Sequence, residues 1–279
     1  MLLYYLFGYA AILLSGFIMG LTGAGGAILA LLILIYLLGI EPINATSYVL
    51  LISAVSALAG AIENFFKGRI RYEAVGVFGV PMIGATYVTR RYLLDIVPDP
   101  IFSIAGYTVA KPVAMMILLA MIMMVAAFSM IRAGNRKSTD SHTLLSLGTL
   151  PPKERIRLLS VLLFCGIAFG VLTAILGVGG GFLIVPVLTL VMKLPIKDAI
   201  GSSLTIVALK SSIGVLGDMQ AGRDIDFMLL SALLGLGVLG VLLGGYATNY
   251  IDNKQLKTIF GFFLLGLAVL ILVDKIVLS

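Results

Sequence analysis

Long apolar segments, separated by short polar turns, follow one another along the whole chain. The hydrophobic residues run on without the alternation of a membrane β-barrel, so the pattern predicts helices that are apolar on every side. A helix of about 20 such residues crosses a hydrocarbon layer about 30 Å thick. The chain therefore predicts an all-α, polytopic membrane protein. The predicted helical segments are 2–22, 26–40, 44–66, 73–94, 112–131, 158–176, 180–194, 199–217, 227–249 and 256–277.

Two of these segments are too short to span the membrane. Segments 26–40 and 180–194 contain about 15 residues each, which makes a helix roughly 22 Å long. Each follows a glycine cluster, GAGG at 23–26 and GVGGG at 177–181. A short helix after a glycine break is typical of a re-entrant hairpin or of a broken membrane helix. We expect one such helix in each half of the chain.

Composition narrows the functional class. Hydrophobic residues make up 61% of the 279 and charged residues 11%, with a mean hydropathy of +1.16, which leaves too little polar surface for a soluble domain. The net charge of +6 indicates basic loops facing anionic lipid rather than a nucleic-acid surface. One cysteine, Cys165, and one histidine, His142, provide no disulfide framework, and no His-based metal site or catalytic triad within the membrane. We therefore expect no catalytic residues, no metal and no cofactor.

The positive charges are distributed unevenly between alternate loops. Loops rich in Lys and Arg stay in the cytoplasm, so both chain termini are predicted to face outwards. The first segment has neither a basic region before it nor a small-residue cleavage site, and it is interpreted as a retained helix. The loops with most of the Lys and Arg residues are 67–71, 132–157, 193–197 and 254–257, and those on the other face are 90–91, 111, 223 and 275.

The chain repeats itself at an offset of 154 positions. This shift places Gly16 on Gly170 and Gly60 on Gly214. With five predicted segments in each half, the second copy enters the membrane from the opposite face, which is the arrangement of an inverted repeat. A purely structural duplication is the alternative. The predicted domains are a first transmembrane repeat at 1–131, a cytoplasmic linker at 132–157 and a second transmembrane repeat at 158–279.

The order of the motifs in the two halves resembles the TauE/SafE sulfite exporter family. The second half contains GVLTAILGVGGGFLIVPV at 170–187, LPIKDAIGSS at 194–203 and AGRDID at 221–226. The first half contains a degenerate copy, GFIMGLTGAGGAILALL at 16–32, PINATS at 42–47 and KGRIRY at 67–72. The copies differ at Ala27 and Leu32, where the second has Gly181 and Pro186, and 95–112 looks like additional sequence. The resemblance implies a carrier of sulfite, sulfoacetate and related sulfonates in the cytoplasmic membrane of a prokaryote.

The two glycine clusters are the first candidate site for an anion. Glycine permits positive φ and close backbone approach, and a helix start presents unpaired N–H groups and the positive end of its dipole. In an inverted repeat the two helix starts converge near the midplane. The alternative is that these glycines only allow tight helix packing, as in Gly240-x-x-x-Gly244. The residues concerned are Gly23, Gly25 and Gly26 in the first half and Gly177, Gly179, Gly180 and Gly181 in the second.

Polar side chains follow each short helix. Asn44 and Ser47 lie near the start of the third segment, where a side chain either caps the helix or faces a bound oxyanion. For these two residues, capping is the favoured interpretation. Ser202 and Ser203 lie inside the corresponding segment of the second half. For these two serines, contact with the substrate is the favoured interpretation.

Lys210 is the strongest single candidate. It lies about eight residues, near 12 Å, from the end of its predicted helix, which is deeper than a lysine comfortably snorkels. A charge within the membrane costs at least about 2.5–3.5 kcal/mol and is a functional candidate by default. The offset of the repeat pairs Lys210 with Ser56, so the halves are predicted to offer one charge and one hydroxyl to the same cavity. The structural alternative is an ion pair with Asp218, two turns further along the same face, or with another helix.

Four charges are candidates for coupling or gating: Glu63, Asp218, Arg69 and Arg223. Glu63 precedes Lys67 by four residues, which favours a helix-end ion pair over a proton relay. Arg69 and Arg223 close the repeated Gly-Arg pairs near opposite faces, where they either guide anions into a vestibule or anchor the interface.

The sequence is interpreted as a secondary carrier that exports small oxyanions such as sulfite or organosulfonates by alternating access. Each charge moved through 100 mV is worth about 2.3 kcal/mol, and a negative cytoplasm favours anion export. The alternatives are proton-coupled import of sulfate, thiosulfate or a carboxylate, and a non-transporting accessory subunit. A membrane enzyme is disfavoured because the predicted spans lack histidine and clustered carboxylates. The expected partners are the anion and the lipid bilayer, with a homo-oligomer left open.

Overall fold

The computed structural model describes residues 2–23, 25–40, 42–93, 102–104, 107–109, 111–135, 151–175, 181–220 and 227–277. Three π-helical segments interrupt or extend its α-helices, at Ile33–Leu37, Val75–Gly79 and Thr89–Leu93, and a 3-10 turn follows at Thr248–Tyr250. The α-helices are α1 Leu2–Thr22, α2 Gly26–Leu32, α3 Pro42–Phe66, α4 Tyr72–Ala74, α5 Val80–Val88, α6 Lys111–Asn135, α7 Pro152–Ile175, α8 Gly181–Leu190, α9 Ile196–Gln220, α10 Phe227–Ala247 and α11 Asn253–Val277.

The helices confirm a polytopic membrane protein. A helix pairs all of its interior backbone polar groups within itself, which is why apolar runs take this form in lipid. Within the described residues, five helices are long and apolar enough to cross a membrane. They are Asn44–Phe66, Pro152–Ile175, Ile196–Gln220, Leu230–Tyr250 and Asn253–Val273.

Both short helices occur where the glycine clusters predict them. α2 has seven residues and continues as a π turn to Leu37, and α8 has ten residues. Before α2, Gly23 has a φ of +86°, which glycine adopts without the steric cost of a Cβ. At about 1.5 Å per residue neither helix crosses the hydrocarbon layer.

Two regions between α3 and α6 differ from the predicted pattern. The segment predicted at 73–94 is helical over residues 72–93, but α4 and α5 within it are joined and followed by π turns; we call residues 72–93 the α4–α5 segment. After it, the additional sequence at 95–112 contains two antiparallel strands, β1 Phe102–Ile104 and β2 Tyr107–Val109. The predicted fifth segment begins directly after them as α6.

Helices from the two halves of the chain are interleaved. α1 packs along α10, α5 along α7, α3 along α9 and α6 along α11, and each pair takes one helix from each half. The offset of 154 residues relates α1 to α7 and α5 to α10, so the α1–α10 pair corresponds to the α7–α5 pair. Reciprocal pairing of this kind is what a two-fold relation between the halves would produce. The opposite membrane orientation of the two repeats stays a prediction.

The close approach of α1 and α10 depends on small residues, as expected from Gly240 and Gly244. A Cβ added at Gly240 would lie 2.3 Å from the Leu13 carbonyl oxygen, and one at Gly244 would lie 2.1 Å from the Phe17 carbonyl oxygen. Helices in lipid gain little from apolar burial and associate through van der Waals contact, so glycine surfaces bring them together. The packing interpretation of these two glycines is confirmed.

α3 and α9 lie at the centre and are the most buried of the candidate spans. Their contacts are reciprocal: a Cβ at Gly214 of α9 would meet Leu50 of α3 at 3.3 Å, and one at Gly60 of α3 would meet Leu204 of α9 at 3.0 Å. The offset of the repeat relates Leu50 to Leu204 and Gly60 to Gly214. This central pair positions most of the candidate site residues.

Candidate functional site

The two glycine breaks meet at one side chain of α9. The Ser203 hydroxyl lies 3.1 Å from the Gly23 carbonyl oxygen and 3.3 Å from that of Gly181, and Ser203 is completely buried. A Cβ at Gly23 would also lie 3.0 Å from Val185 of α8 and from the Ile200 backbone of α9. Gly23 and the start of α8 therefore lie close together, with the Ser203 hydroxyl as donor between them; their convergence at the membrane midplane stays a prediction.

The other glycines of the first cluster lie against neighbouring helices. A Cβ at Gly26 would lie 1.9 Å from the Ser15 carbonyl oxygen of α1, and one at Gly25 would lie 2.2 Å from the Phe263 ring of α11. The Gly25 N–H donates to Thr22 Oγ1 at 3.1 Å. Close packing thus accounts for Gly25 and Gly26. Gly177, Gly179 and Gly180 lie outside the described residues.

Lys210 is buried in the middle of α9 with 1% of its surface exposed. Its ammonium donates to Thr173 Oγ1 on α7 at 2.5 Å, and the Thr173 hydroxyl donates in turn to the Phe169 carbonyl oxygen at 2.7 Å. A cation held by a hydroxyl in this way is oriented without being neutralised by that contact. Lys210 is thus buried deep in the protein, and its role in binding the substrate stays a prediction.

Asp218, near the end of α9, forms a buried ion pair with Arg90. Arg90 Nη1 lies 2.6 Å from Oδ1 and 2.7 Å from Oδ2 of the carboxylate, and both side chains are 3% exposed. Ser47 of α3 donates its hydroxyl to Asp218 Oδ2 at 2.9 Å. Since α3 begins at Pro42, Ser47 is a side chain of the helix interior, and the alternative that it caps the helix is wrong.

Arg90 is a buried charged residue of this region that the sequence did not single out. Its position near the end of the segment predicted at 73–94 placed it among the loop charges. In the structure it lies in the π segment Thr89–Leu93, and its side chain points into the protein rather than to the surface. A charge pair out of water is costly unless its geometry and hydrogen bonds are good. The two acidic and basic candidates of this region, Asp218 and Arg90, are 128 residues apart, so no local pattern reports their contact.

Ser202 contacts the loop that follows α3. Its hydroxyl accepts a hydrogen bond from the Arg71 N–H at 2.9 Å. The Arg71 guanidinium also pairs with Asp198 of α9, with Nη2 2.5 Å and Nε 2.8 Å from Oδ2. The side chains of this pair are 41% and 14% exposed, so it lies in a wetter environment than Arg90 and Asp218. Ser202 is therefore part of a brace between α9 and the start of the α4–α5 segment.

Ser56 and Ser211 are buried hydroxyls at the centre of the α3–α9 pair. Both residues are 0% exposed, and within the described residues neither side-chain oxygen has a hydrogen-bond partner. Ser56 faces α10, where a Cβ at Gly237 would lie 2.6 Å from Ser56 Oγ. Lys210 contacts α7 instead. Ser56 and Lys210, which were predicted to face the same cavity, therefore lie against different helices.

The remaining charged candidates lie nearer the ends of the helices. Glu63 forms the predicted ion pair with Lys67, and its carboxylate lies against Gly245, where a Cβ would be 2.3 Å from Oε2. Arg69 belongs to the turn after α3, with its N–H donating to the Asn64 carbonyl oxygen at 3.0 Å. Arg223 lies outside the described residues. Among those described, no group of three or more His, Cys, Asp or Glu side chains lies together.

Comparison with known proteins places the chain in a family. The model of the family described as "Sulfite exporter TauE/SafE" matches residues 8–271. The chain belongs to the TauE/SafE sulfite exporter family. It is accordingly a multi-pass membrane transporter. The resemblance carried by the duplicated glycine motifs is confirmed.

Several relatives of this TauE/SafE-family protein are named as membrane transporters. A probable membrane transporter protein of Xylella fastidiosa is 27% identical over 265 residues, which cover 93% of this chain and 91% of the relative. The probable membrane transporter protein YdhB of Bacillus subtilis is 27% identical over 248 residues, which cover 88% of this chain and 91% of the relative. A probable membrane transporter protein of Methanocaldococcus jannaschii is 31% identical over 125 residues, which cover 42% of this chain and 45% of the relative. No solved structure gives a significant match.

Proposed function

We propose that this protein exports small oxyanions, sulfite or an organosulfonate, across the cytoplasmic membrane by alternating access. The observation that carries the proposal is Lys210, a lysine side chain that is 1% exposed in the middle of a helix long and apolar enough to cross the membrane. A charge at such a position costs at least about 2.5–3.5 kcal/mol at the centre of a bilayer, and residues of this kind mark ion and substrate paths. A buried lysine favours an anionic substrate.

The proposed path follows α9 between the two glycine breaks and the buried ion pair. Lys210 supplies the charge, Ser203 holds the breaks at Gly23 and Gly181 together, and Asp218 controls access at its end of the helix. Small oxyanions are bound well by such groups because each oxygen accepts hydrogen bonds from hydroxyl, ammonium and backbone N–H donors. The proposal gives the other candidates three roles. The residues that line or support the path are Ser47, Ser56, Ser202, Gly25 and Gly26. Those proposed to bind the anion are Gly177, Gly179 and Gly180, and those proposed for the entrances are Arg69, Arg223 and Glu63.

The interleaved helices support alternating access. α1 packs on α10 and α5 on α7, so neither half of the chain is a separate packing unit. Two related halves that share a central helix pair can exchange conformations, which is how inverted-repeat carriers open alternately to the two faces. With a negative cytoplasm, each negative charge exported through 100 mV releases about 2.3 kcal/mol. Export therefore needs no coupled ion.

The test is transport by the purified full chain in liposomes with an imposed membrane potential. The anions are sulfite, sulfoacetate, sulfate, thiosulfate and acetate. We expect saturable flux of a sulfur oxyanion, and a loss of about tenfold or more in Lys210→Met, since a hydrogen bond to a charged group contributes about 1.5–3 kcal/mol. Lys197→Met is the matched control, because Lys197 lies at the start of the same helix and is only partly buried.

The other outcomes separate the alternatives. Flux that appears only with a proton gradient and in the inward direction would replace export with coupled import. No flux of any anion, from protein that is folded and correctly inserted, would contradict a carrier and favour an accessory subunit. Equal flux in wild type and Lys210→Met would retain the carrier but remove Lys210 from its path.

A further inference from the structure

Arg90 and Asp218 hold a carboxylate, itself an oxyanion, against a guanidinium out of water. The two carboxylate oxygens lie 2.6 and 2.7 Å from a single guanidinium nitrogen, Nη1. Both side chains are 3% exposed, so water contributes little to screening them. The oxygens of a sulfonate or sulfite are charged like those of a carboxylate and have a similar spacing. A buried guanidinium that binds a carboxylate is therefore chemically suited to bind these anions.

A second Arg–Asp pair at the other end of α9 serves as an internal comparison. Arg71, which directly precedes the α4–α5 segment, pairs with Asp198 of α9, but their side chains are 41% and 14% exposed. An ion pair that is partly solvated contributes little beyond local bracing. The buried pair has a much larger desolvation cost, and replacing such a pair by apolar residues is often neutral or stabilising. Bracing alone therefore explains Arg71 and Asp198 better than it explains Arg90 and Asp218.

A second cation lies on the side of the buried pair that faces the middle of the membrane. Lys210, Gly214 and Asp218 follow one another at four-residue intervals on one face of α9. Arg90 pairs with Asp218, so the face of α9 that carries Lys210 also leads to the guanidinium. Of the described charged side chains that make up this cluster, two are cations and one is a carboxylate. An anion that reaches Arg90 is therefore attracted by Lys210 along its way.

We infer that the Arg90 guanidinium binds the transported oxyanion and that the Asp218 carboxylate competes with the anion for it. The inference rests on the proposed function, because it names the residues that discriminate the substrate of that carrier. The competition is for Nη1, whose N–H groups face both carboxylate oxygens. An oxyanion can therefore take this nitrogen only if Asp218 moves away. Ser47 Oγ donates to Asp218 Oδ2 at 2.9 Å and keeps a hydrogen bond for the displaced carboxylate.

This arrangement determines the substrate class. A ligand must present at least two charged oxygens on one small centre to replace the carboxylate, as sulfite, sulfonates and carboxylates do. A monatomic anion such as chloride offers no second oxygen and is a poor substitute. Arg90 is thus a binding residue, and Asp218 is a positioning residue that sets how strongly the anion must bind.

The experiment compares Asp218→Asn with Asp198→Asn in the reconstituted full chain. We measure the half-saturating concentration of sulfoacetate for flux and, in detergent, the concentration that gives half of the anion-induced rise in Tm. Removing the competitor is expected to lower both values at least about fivefold in Asp218→Asn, the lower end of typical coupling between two ligands. Asp198→Asn is expected to stay within about twofold of wild type.

Three further variants keep the inference falsifiable if Asp218→Asn does not fold. Ser47→Ala loosens the carboxylate without changing any charge, and it should lower the half-saturating concentration by a smaller factor. Arg90→Lys keeps the charge but loses the planar donor, and it should raise that concentration. Asp218→Glu restores a carboxylate and should return the values towards wild type.

The outcomes distinguish this inference from the proposed function. If wild type transports the anion but Asp218→Asn leaves the half-saturating concentration unchanged or raises it, the competitor role is wrong. If both Asn variants lower it equally, the effect belongs to net charge and the inference is again overturned. If wild type shows neither anion flux nor an anion-induced rise in Tm, the proposed function itself fails, and this inference with it.

Discussion

Ser203→Ala should loosen the junction between the two glycine breaks. The Ser203 hydroxyl is a donor to both the Gly23 and the Gly181 carbonyl oxygens, at 3.1 and 3.3 Å. Alanine removes that donor and keeps the rest of the helix surface. Ser212→Ala is the matched control, because the Ser212 hydroxyl donates at 2.8 Å to the Ala208 carbonyl oxygen within its own helix.

The size of the effect follows from the contacts that are lost. Hydrogen bonds between helices in a membrane protein contribute about 0.6 kcal/mol on average and up to about 1.7 kcal/mol. Ser203 is completely buried and serves two acceptors from different elements, so we expect a loss near the upper value. For Ser212→Ala we expect a change below about 0.5 kcal/mol, because the helix backbone already satisfies that carbonyl.

The assay is reversible unfolding in mixed detergent micelles, with anion flux measured on the same preparations. Ser203→Ala should reduce the free energy of unfolding by about 1–2 kcal/mol and should reduce flux as well, since the two breaks lose their common donor. Equal stability of Ser203→Ala and Ser212→Ala would show that the hydroxyl does not join the breaks. Lower stability with unchanged flux would confine Ser203 to a structural role.

Three further outcomes are expected. Gly244→Leu should prevent folding, because even its Cβ would lie 2.1 Å from a backbone carbonyl oxygen of α1, whereas Gly235→Leu, with nothing within 4 Å, should fold normally; size-exclusion profiles and yield distinguish them. Thr173→Val removes the 2.5 Å contact to Lys210 and should cost about 1.5–3 kcal/mol in unfolding experiments, an unchanged Tm being the contrary result. Glu63→Gln breaks the ion pair with Lys67, whose side chains are 19% and 28% exposed. It should change the free energy of unfolding by less than about 1 kcal/mol. A larger loss would mean that the buried Glu63 oxygen beside α10 contributes more to stability than the ion pair does.

The features that could be predicted from the sequence are those that depend on short stretches of chain. The apolar runs specify helices because lipid leaves the backbone no other partner. The glycine cluster at 23–26 specifies the break before α2, since only glycine takes φ values such as the +86° of Gly23 without strain. The ion pair of Glu63 and Lys67 is one turn of helix long, so spacing alone predicts it. Burial of Lys210 follows from its depth within a hydrophobic run.

The tertiary structure decided which groups meet. Arg90 and Asp218 are 128 residues apart, and Ser203 and Gly23 are 180 apart, so their contacts depend on how α9 packs against α3 and the α4–α5 segment. Spacing along a helix relates Asp218 to Lys210, yet the salt bridge of Asp218 is with an arginine from another element. Helix order is also a tertiary result: α1 packs on α10 because glycine surfaces let their backbones approach, and no hydrophobic preference distinguishes one helix face from another in lipid. Local chemistry thus determines the elements of this protein, and shape complementarity between them determines its site.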